Sequence, residues 1–157
     1  MAVEVGEAAP DFSLYDTERQ KRGLSEFKGQ NVVLVFFPGA FTGVCSKVMC
    51  TLRDQIGQYS SLNAQVIGIS VDPPFSHKEW MDQNNVTFPF LSDFNREVVN
   101  KYDVALPNMG TMEGYVAAKR AVFVLDKEGI IRYKWVGDTP ANEPDYDEVQ
   151  KAVAQLS

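Results

Sequence analysis

Six consecutive residues, Val32-Val-Leu-Val-Phe-Phe37, constrain this chain more than any other segment. A strand with one wet face alternates apolar and polar side chains. A run without alternation, rich in β-branched and aromatic residues, is covered on both faces and sits inside a sheet flanked by helices. Pro38 and Gly39 end the run. A helix follows from about Thr42 to Tyr59, with Thr42 at its N-cap.

The remaining elements extend this α/β beginning. Gln65 to Val71 is a second strand. Asp72-Pro-Pro-Phe-Ser76 is a turn, and Ser76 caps a helix reaching about Gln83. Thr87 to Leu91 reads as a short edge segment, because Pro89 cannot serve a central ladder. Asn95 to Tyr102 is a short helix. Arg120 to Asp126 is a strong strand, Lys127-Glu-Gly129 a hairpin turn, and Ile130 to Val136 the antiparallel return. Asp145 to Leu156 closes the chain as a helix, with Val149, Val153 and Leu156 on one face. Phe12 to Tyr15 adds a strand at the front. The order is that of a thioredoxin-like fold, a mixed sheet with helices on both faces. At 157 residues and 45% hydrophobic, the chain fills one domain, residues 1–157, with a core of its own. No repeat or Gly/Pro/Ser-rich linker divides it.

Net charge is −6. That disfavours nucleic acid and anionic membrane as partners, since both require a basic face. The first residues carry neither a basic n-region nor an apolar h-region, and no apolar run approaches the ~20 residues of a membrane span. A cytoplasmic location is expected. Two cysteines, Cys45 and Cys50, are too few and too close for a secreted disulfide scaffold. A metal site is not expected either: two cysteines on one helix and the single, distant His77 make poor tetrahedral geometry.

Cys45 falls in the first turn of the helix after the buried strand, at N3 if Thr42 is the N-cap. The first helical N–H groups have no intrahelical acceptor and, with the helix dipole, favour an anion there. A thiolate in that position is a nucleophile. The Thr42 hydroxyl is expected beside the sulfur, and Pro38 and Phe41 are expected to shield the pocket.

Pro38-Gly-Ala-Phe-Thr42-Gly-Val-Cys45 matches the pattern Pro-x-x-x-Thr-x-x-Cys directly after an apolar strand. On that segment the chain resembles the peroxiredoxins. Arg120-Ala-Val-Phe-Val-Leu-Asp126 resembles the family's arginine-led strand. Ala9-Pro-Asp-Phe12, Gly68-Ile-Ser-Val-Asp72 and Phe88-Pro-Phe-Leu-Ser-Asp93 resemble further segments in the same order. The resemblance implies a thiol peroxidase reducing hydrogen peroxide and organic hydroperoxides. It makes Cys45 the peroxidatic residue, with Thr42, Arg120 and Pro38 around it, and requires no cofactor or metal. It also implies a thioredoxin, a glutaredoxin or a low-molecular-weight thiol as reductant, and a homodimer. One departure stands out. Many members carry Glu three residues after the reactive cysteine, where this chain has Val48, so how Arg120 is held is open; Arg53 is a weak candidate for helping.

Cys50 is the other thiol, and the Cys-x-x-x-x-Cys spacing resembles the bacterioferritin-comigratory subgroup, in which the second cysteine resolves the first. Phe36 to Thr42 and Leu52-Arg-Asp54 also resemble one-cysteine members of the AhpE type. On an intact helix, residues five apart are rotated by roughly 140° with Cα atoms roughly 8–9 Å apart. A disulfide needs about 4.4–6.8 Å, so a Cys45–Cys50 bond requires the helix to unwind. Cys45 shares a face with Met49, Leu52 and Ile56, whereas Cys50 falls on the more polar side with Ser46, Arg53, Asp54 and Gly57. Cys50 is either the resolving residue or a small helix residue with no redox role.

The other singled-out residues have plainer readings: His77 on a helix surface, Trp80 and Phe75 in packing, and Met109 to Tyr115 as a mobile loop near the pocket or a dimer edge. Two other functions fit the scaffold. A thiol–disulfide oxidoreductase would want Cys-x-x-Cys at the helix start. A redox-sensing binding module would keep its activity without Cys45.

Overall fold

The computed structural model describes residues 3–156. Its centre is the unalternating run Val32–Phe37. Strand β3 (Asn31–Phe36) is buried at every position. It pairs in parallel with β4 (Ala64–Ser70) on one side and antiparallel with β8 (Ala121–Leu125) on the other. Outward from β4 lie β5 (Phe90–Ser92), β1 (Ser13–Tyr15) and β2 (Lys21–Gly23); outward from β8 lies β9 (Ile131–Val136). The sheet is mixed and seven-stranded, in the order β2-β1-β5-β4-β3-β8-β9.

Alternate residues of β3 point to opposite faces, and each face has its own core. Val33, Val35 and Phe37 pack with helices α1 (Gly43–Asp54), α2 (Ile56–Ser61), α3 (Pro74–Asn84) and α5 (Tyr146–Ala154). Val32, Leu34 and Phe36 pack with α4 (Glu97–Lys101), the 3-10 turn Leu24–Phe27 and the N-terminal segment. Helices thus cover both faces, unequally. Gly68 in β4 allows the closest approach within the sheet. A Cβ there would lie 2.6 Å from the Phe90 ring, so the aromatic of β5 takes the space a side chain would need.

Several sequence expectations shift. The expected helix from Thr42 to Tyr59 is two helices, divided at Gln55 (φ −97°, ψ 3°), with Gly57, a poor helix former, in the next turn. The edge segment is not at an edge, since β5 lies between β4 and β1. Pro89 is tolerated because it precedes the strand and offers only its carbonyl, which accepts from the Gly68 N–H at 3.0 Å. Helix α3 begins at Pro74 rather than being capped by Ser76; proline suits the first helical position because no N–H is needed there. The short helix is confined to Glu97–Lys101. Asp145 caps α5 as an acceptor from the N–H groups of Asp147 and Glu148.

A small two-stranded ribbon, β6 (Ala105–Leu106) with β7 (Ala117–Ala118), carries the loop from Met109 to Tyr115. A methyl built on Gly39 would lie 3.9 Å from Met109 Cε, which places the start of that loop beside the turn after β3. Among the described residues no helix is long and apolar enough to cross a membrane.

Candidate active site

The site forms where β3 runs out. The Phe37 N–H still bonds Ile69 O at 3.1 Å, and Pro38 and Gly39 are buried. The chain then turns through Phe41, whose φ of +65° is uncommon for a residue with a large side chain. The turn is pinned twice. The Ala40 N–H donates to Asp72 Oδ2 at 2.8 Å, and the Thr42 hydroxyl donates to Gly39 O at 2.9 Å. Thr42 is the N-cap by backbone position, yet its side chain makes no capping hydrogen bond. Its hydroxyl is instead engaged within the turn. Phe41 is 53% exposed, with its ring 6.3 Å from that of Trp80.

Cys45 is the third residue of α1 and fully buried, while Val48 and Met49 pack beside it in the core. Arg120 directly precedes β8, and the antiparallel pairing of Phe36 with Ala121 brings it to the end of β3 where the turn begins. Its side chain is 2% exposed. Arg120 Nη2 donates to Cys45 Sγ at 3.0 Å and to Pro140 O at 3.0 Å, and Nε donates to Pro140 O at 3.1 Å. Nη1 is buried with no hydrogen-bond partner.

A buried guanidinium without a partner carboxylate is costly to desolvate. Where a Glu could have met it, this chain has the buried Val48. A backbone carbonyl does the holding instead. Pro140 belongs to the loop between β9 and α5, which is fastened at both ends. The Gly137 N–H bonds Arg120 O at 2.8 Å, and Glu143 pairs with Lys47 on α1 at 3.0 Å. Tyr146 also donates to Glu143, at 2.8 Å. That hydrogen bond, then the Lys47 contact, holds the Glu143 carboxyl below its ordinary range, with a smaller contribution from the Arg120 charge. A cavity of about 30 Å³, lined by Leu106, Lys119, Arg120 and Gly137 to Pro140, opens beside the guanidinium. A space of that size admits a molecule on the scale of water. A roomier cavity of about 240 Å³ lies at the opposite end of β3, among Ala9, Phe27, Val32 and Leu125, away from Cys45.

Cys50 occupies different ground on the same helix. Helix α1 is unbroken from Gly43 to Asp54, and both cysteines are free thiols. Cys50 is half-buried against α3, with Sγ 3.6 Å from Asn84 Oδ1. It is therefore less accessible than its polar helix face suggested. Arg53 bonds Asp54 and the Asn84 carbonyl and takes no part in holding Arg120.

Sequence reasoning missed His77. Expected on a helix surface, it is fully buried, because His77 and Trp80 are three apart on the face of α3 that meets Phe37 and Phe90. The spacing Pro74, His77, Trp80 was the available signal. Burial pushes the His77 pKa down to about 4, against the opposing influence of Asp72. Trp80 packs as expected and donates to Ser46 Oγ at 3.2 Å. Phe75 does not pack: it is 68% exposed, with the Arg19 guanidinium 5.6 Å from its ring centre. Among the described residues no group of three or more His, Cys, Asp and Glu side chains is placed to hold a metal ion.

Comparison with known proteins gives a consistent picture. The model of the AhpC/TSA family matches residues 5–134. The chain is 41% identical over 134 residues to alkyl hydroperoxide reductase E of Mycobacterium bovis, covering 83% of this chain and 84% of that protein. It is 38% identical over 131 residues to the chloroplastic peroxiredoxin Q of Oryza sativa subsp. japonica, covering 83% of this chain and 58% of that one. Among solved structures, a peroxiredoxin-like protein from Aquifex aeolicus superposes with a TM-score of 0.88 at 27% identity, over 100% of this chain and 90% of that one. Peroxidoxin BcpB from Mycobacterium tuberculosis superposes with a TM-score of 0.83 at 27% identity, over 98% and 96%. The mixed sheet is thus the expected thioredoxin-like one.

Proposed function

The chain belongs to the AhpC/TSA family of peroxiredoxins, thiol-dependent peroxidases, and on that premise we propose that Cys45 is its peroxidatic residue, served by Arg120, Thr42 and Pro38. One observation carries the assignment: a buried guanidinium donates to Cys45 Sγ at 3.0 Å and keeps a second nitrogen, Nη1, without a partner. A charge-assisted N–H at the sulfur suits a thiolate, and the idle nitrogen is a donor held ready for an incoming oxygen.

The reaction follows from that arrangement. The Cys45 thiolate attacks one oxygen of a hydroperoxide, ROOH, along the O–O axis. The S–O bond forms as the O–O bond breaks, and the electron pair leaves with RO⁻, which takes a proton to become ROH. Sulfur is oxidised by two electrons to the sulfenic acid, and the peroxide is reduced by two. Arg120 Nη1 donates to the oxygen on which charge develops. Thr42, in the turn beside the sulfur, orients the peroxide by exchanging its Gly39 bond for one to substrate. Pro38, buried in that turn, excludes water. Hydrogen peroxide and small organic hydroperoxides are the substrates.

Regeneration requires a thiol. With Cys50 as the resolving residue, its thiolate attacks the sulfenic sulfur, hydroxide leaves as water after taking a proton, and an intramolecular disulfide forms. Both cysteines lie on the unbroken α1, so the helix must unwind from its first turn past Cys50, and the Cys50 contact with Asn84 must open. The intact helix and the turn of Cys50 toward α3 favour a second reading, direct reduction of the sulfenic acid by an outside thiol. Thioredoxin, glutaredoxin or a low-molecular-weight thiol closes the cycle in either case. We place this one-domain chain in the cytoplasm as a homodimer.

The test is the intact mass of the reduced protein after one equivalent of hydrogen peroxide. Loss of two hydrogens within a monomer supports resolution by Cys50. Gain of oxygen supports the outside thiol. An unchanged mass while peroxide persists overturns the peroxidase assignment for Cys45.

A further inference from the structure

A buried polar chain behind the site has no part in the chemistry above. Ser70, at the end of β4, donates its hydroxyl to Asp72 Oδ2 at 2.6 Å, and its oxygen lies 2.6 Å from His77 Nε2. The Asp72 N–H also donates to Ser70 Oγ, at 3.2 Å. A serine hydroxyl has one proton to give. With that proton on the Asp72 carboxylate, the contact to His77 is made only if Nε2 carries hydrogen and donates. The tautomer is thereby assigned, and Nδ1 is left bare; it is buried and without a partner. A second proton at Nδ1 would be buried with no acceptor, so the ring stays neutral, in line with the direction in which burial moves its pKa. His77 is thus a one-way donor, and the chain runs from His77 through Ser70 to Asp72.

The chain ends at the active site. Asp72 Oδ2, which takes the Ser70 proton, also accepts the Ala40 N–H at 2.8 Å. Ala40 sits in the middle of the turn between Pro38 and Thr42, next to Phe41 in its left-handed conformation. The Asp72 carbonyl is fixed in turn by the Ser92 hydroxyl at 2.6 Å. The carboxylate is therefore immobilised from the sheet side before it reaches the turn.

Resting on the peroxidase assignment above, we infer that Asp72, Ser70 and His77 form a positioning relay: a carboxylate, aimed by a neutral histidine through a serine, that sets the Pro38–Thr42 turn and with it the Thr42 hydroxyl relative to Cys45. None of the three touches substrate. Their effect falls on reactions that need an oriented peroxide and spares reactions that need only the Cys45 thiol. That distinction separates positioning from simple support of the fold, because misplacement of reacting groups by about 1 Å costs up to 10²-fold.

The experiment compares two second-order rate constants in the reduced protein: oxidation of Cys45 by hydrogen peroxide, and alkylation of Cys45 by iodoacetamide, each followed by mass. Asp72→Asn keeps the shape but weakens the acceptor for Ala40 and Ser70. It is expected to slow oxidation by roughly 10-fold or more, with alkylation within about twofold of wild type. Ser70→Ala removes only a hydroxyl, serves if the first variant folds poorly, and should show the same split at smaller size. His77→Gln, which can present an amide N–H to Ser70, should recover part of what His77→Phe loses. Equal losses of oxidation and alkylation would make the relay merely structural and overturn the inference, as would variants that oxidise at the wild-type rate. A wild-type protein that is alkylated but never oxidised would instead overturn the peroxidase assignment itself.

Discussion

The two cysteines share one helix and almost nothing else. Cys45 faces the sheet, fully buried, with a guanidinium nitrogen 3.0 Å from its sulfur. Cys50, five positions on, faces α3, half-buried, with a neutral amide oxygen 3.6 Å away. Both thiols belong to the same local sequence and the same secondary structure. What separates them is tertiary: the antiparallel partner of β3 delivers an arginine to one side of α1, while α3 delivers an asparagine and a carbonyl to the other. Reactivity is set by the charge and donors around a sulfur, not by the element that carries it.

The largest expected effect breaks the Cys45 side outright. Cys45→Ser should reduce peroxide consumption to the uncatalysed background, because a serine hydroxyl is not ionised there and is a far weaker nucleophile. Stopped-flow measurement of peroxide loss checks this, and residual turnover through Cys50 would erase the contrast between the two thiols. Arg120→Met comes next. It fills similar volume but removes the donors to sulfur and to the developing oxyanion. Loss of a donor of that kind costs about 10²–10³-fold, read as the rate constant for Cys45 oxidation. A loss below about 10-fold would mean that the buried guanidinium serves structure rather than chemistry.

How much of this was legible in the sequence differs between the parts. The unalternating run at Val32–Phe37 located the central strand, and the Pro-x-x-x-Thr-x-x-Cys turn with an arginine-led strand located the Cys45 and Arg120 pair that the fold brings together. The partner of Arg120 was not legible, because Pro140 contributes a carbonyl that every residue owns. The place of β5 was obscured by Pro89, whose position just ahead of the ladder depends on register. His77 read as surface because its helix neighbours Ser76, Lys78 and Glu79 are polar. The three-residue spacing of Pro74, His77 and Trp80 hinted at an inner face, and the positions of Phe37 and Phe90 show that this face is inside.

His77 sharpens the comparison, since α3 meets Cys50 through Asn84 and reaches the Cys45 side through Ser70 and Asp72. Its folded pKa, near 4, lies below its ordinary value. Between the two the unfolded chain holds a proton that the folded chain does not, so stability falls as pH falls. The contribution is complete above about pH 6.5 and lost progressively down to about pH 4, amounting to roughly 3 kcal/mol at most. Urea midpoints at pH 7 and pH 5 check it. The wild type should lose more stability across that interval than His77→Gln, and parallel losses would show that other groups govern the acid limb.

The smallest effect is expected on the far side of α1. Alanine is the best helix former, and Cys50 loses only a weak S–H donor to a half-buried amide, so Cys50→Ala should change stability by no more than about 0.5 kcal/mol. The first oxidation of Cys45 should proceed within about twofold of the wild-type rate, since the hydrogen-bond partner of Cys50, Asn84, bonds neither Arg120 nor the Pro38–Thr42 turn. What should change is the product. With Cys50 as the resolving thiol, peroxide-treated wild type loses two hydrogens, whereas the variant stops at the sulfenic acid, one oxygen heavier, and needs an outside thiol to turn over. Were the first oxidation itself slowed 10-fold, the two sides of α1 would be coupled through the helix. The separation of their surroundings would then no longer account for the separation of their chemistry.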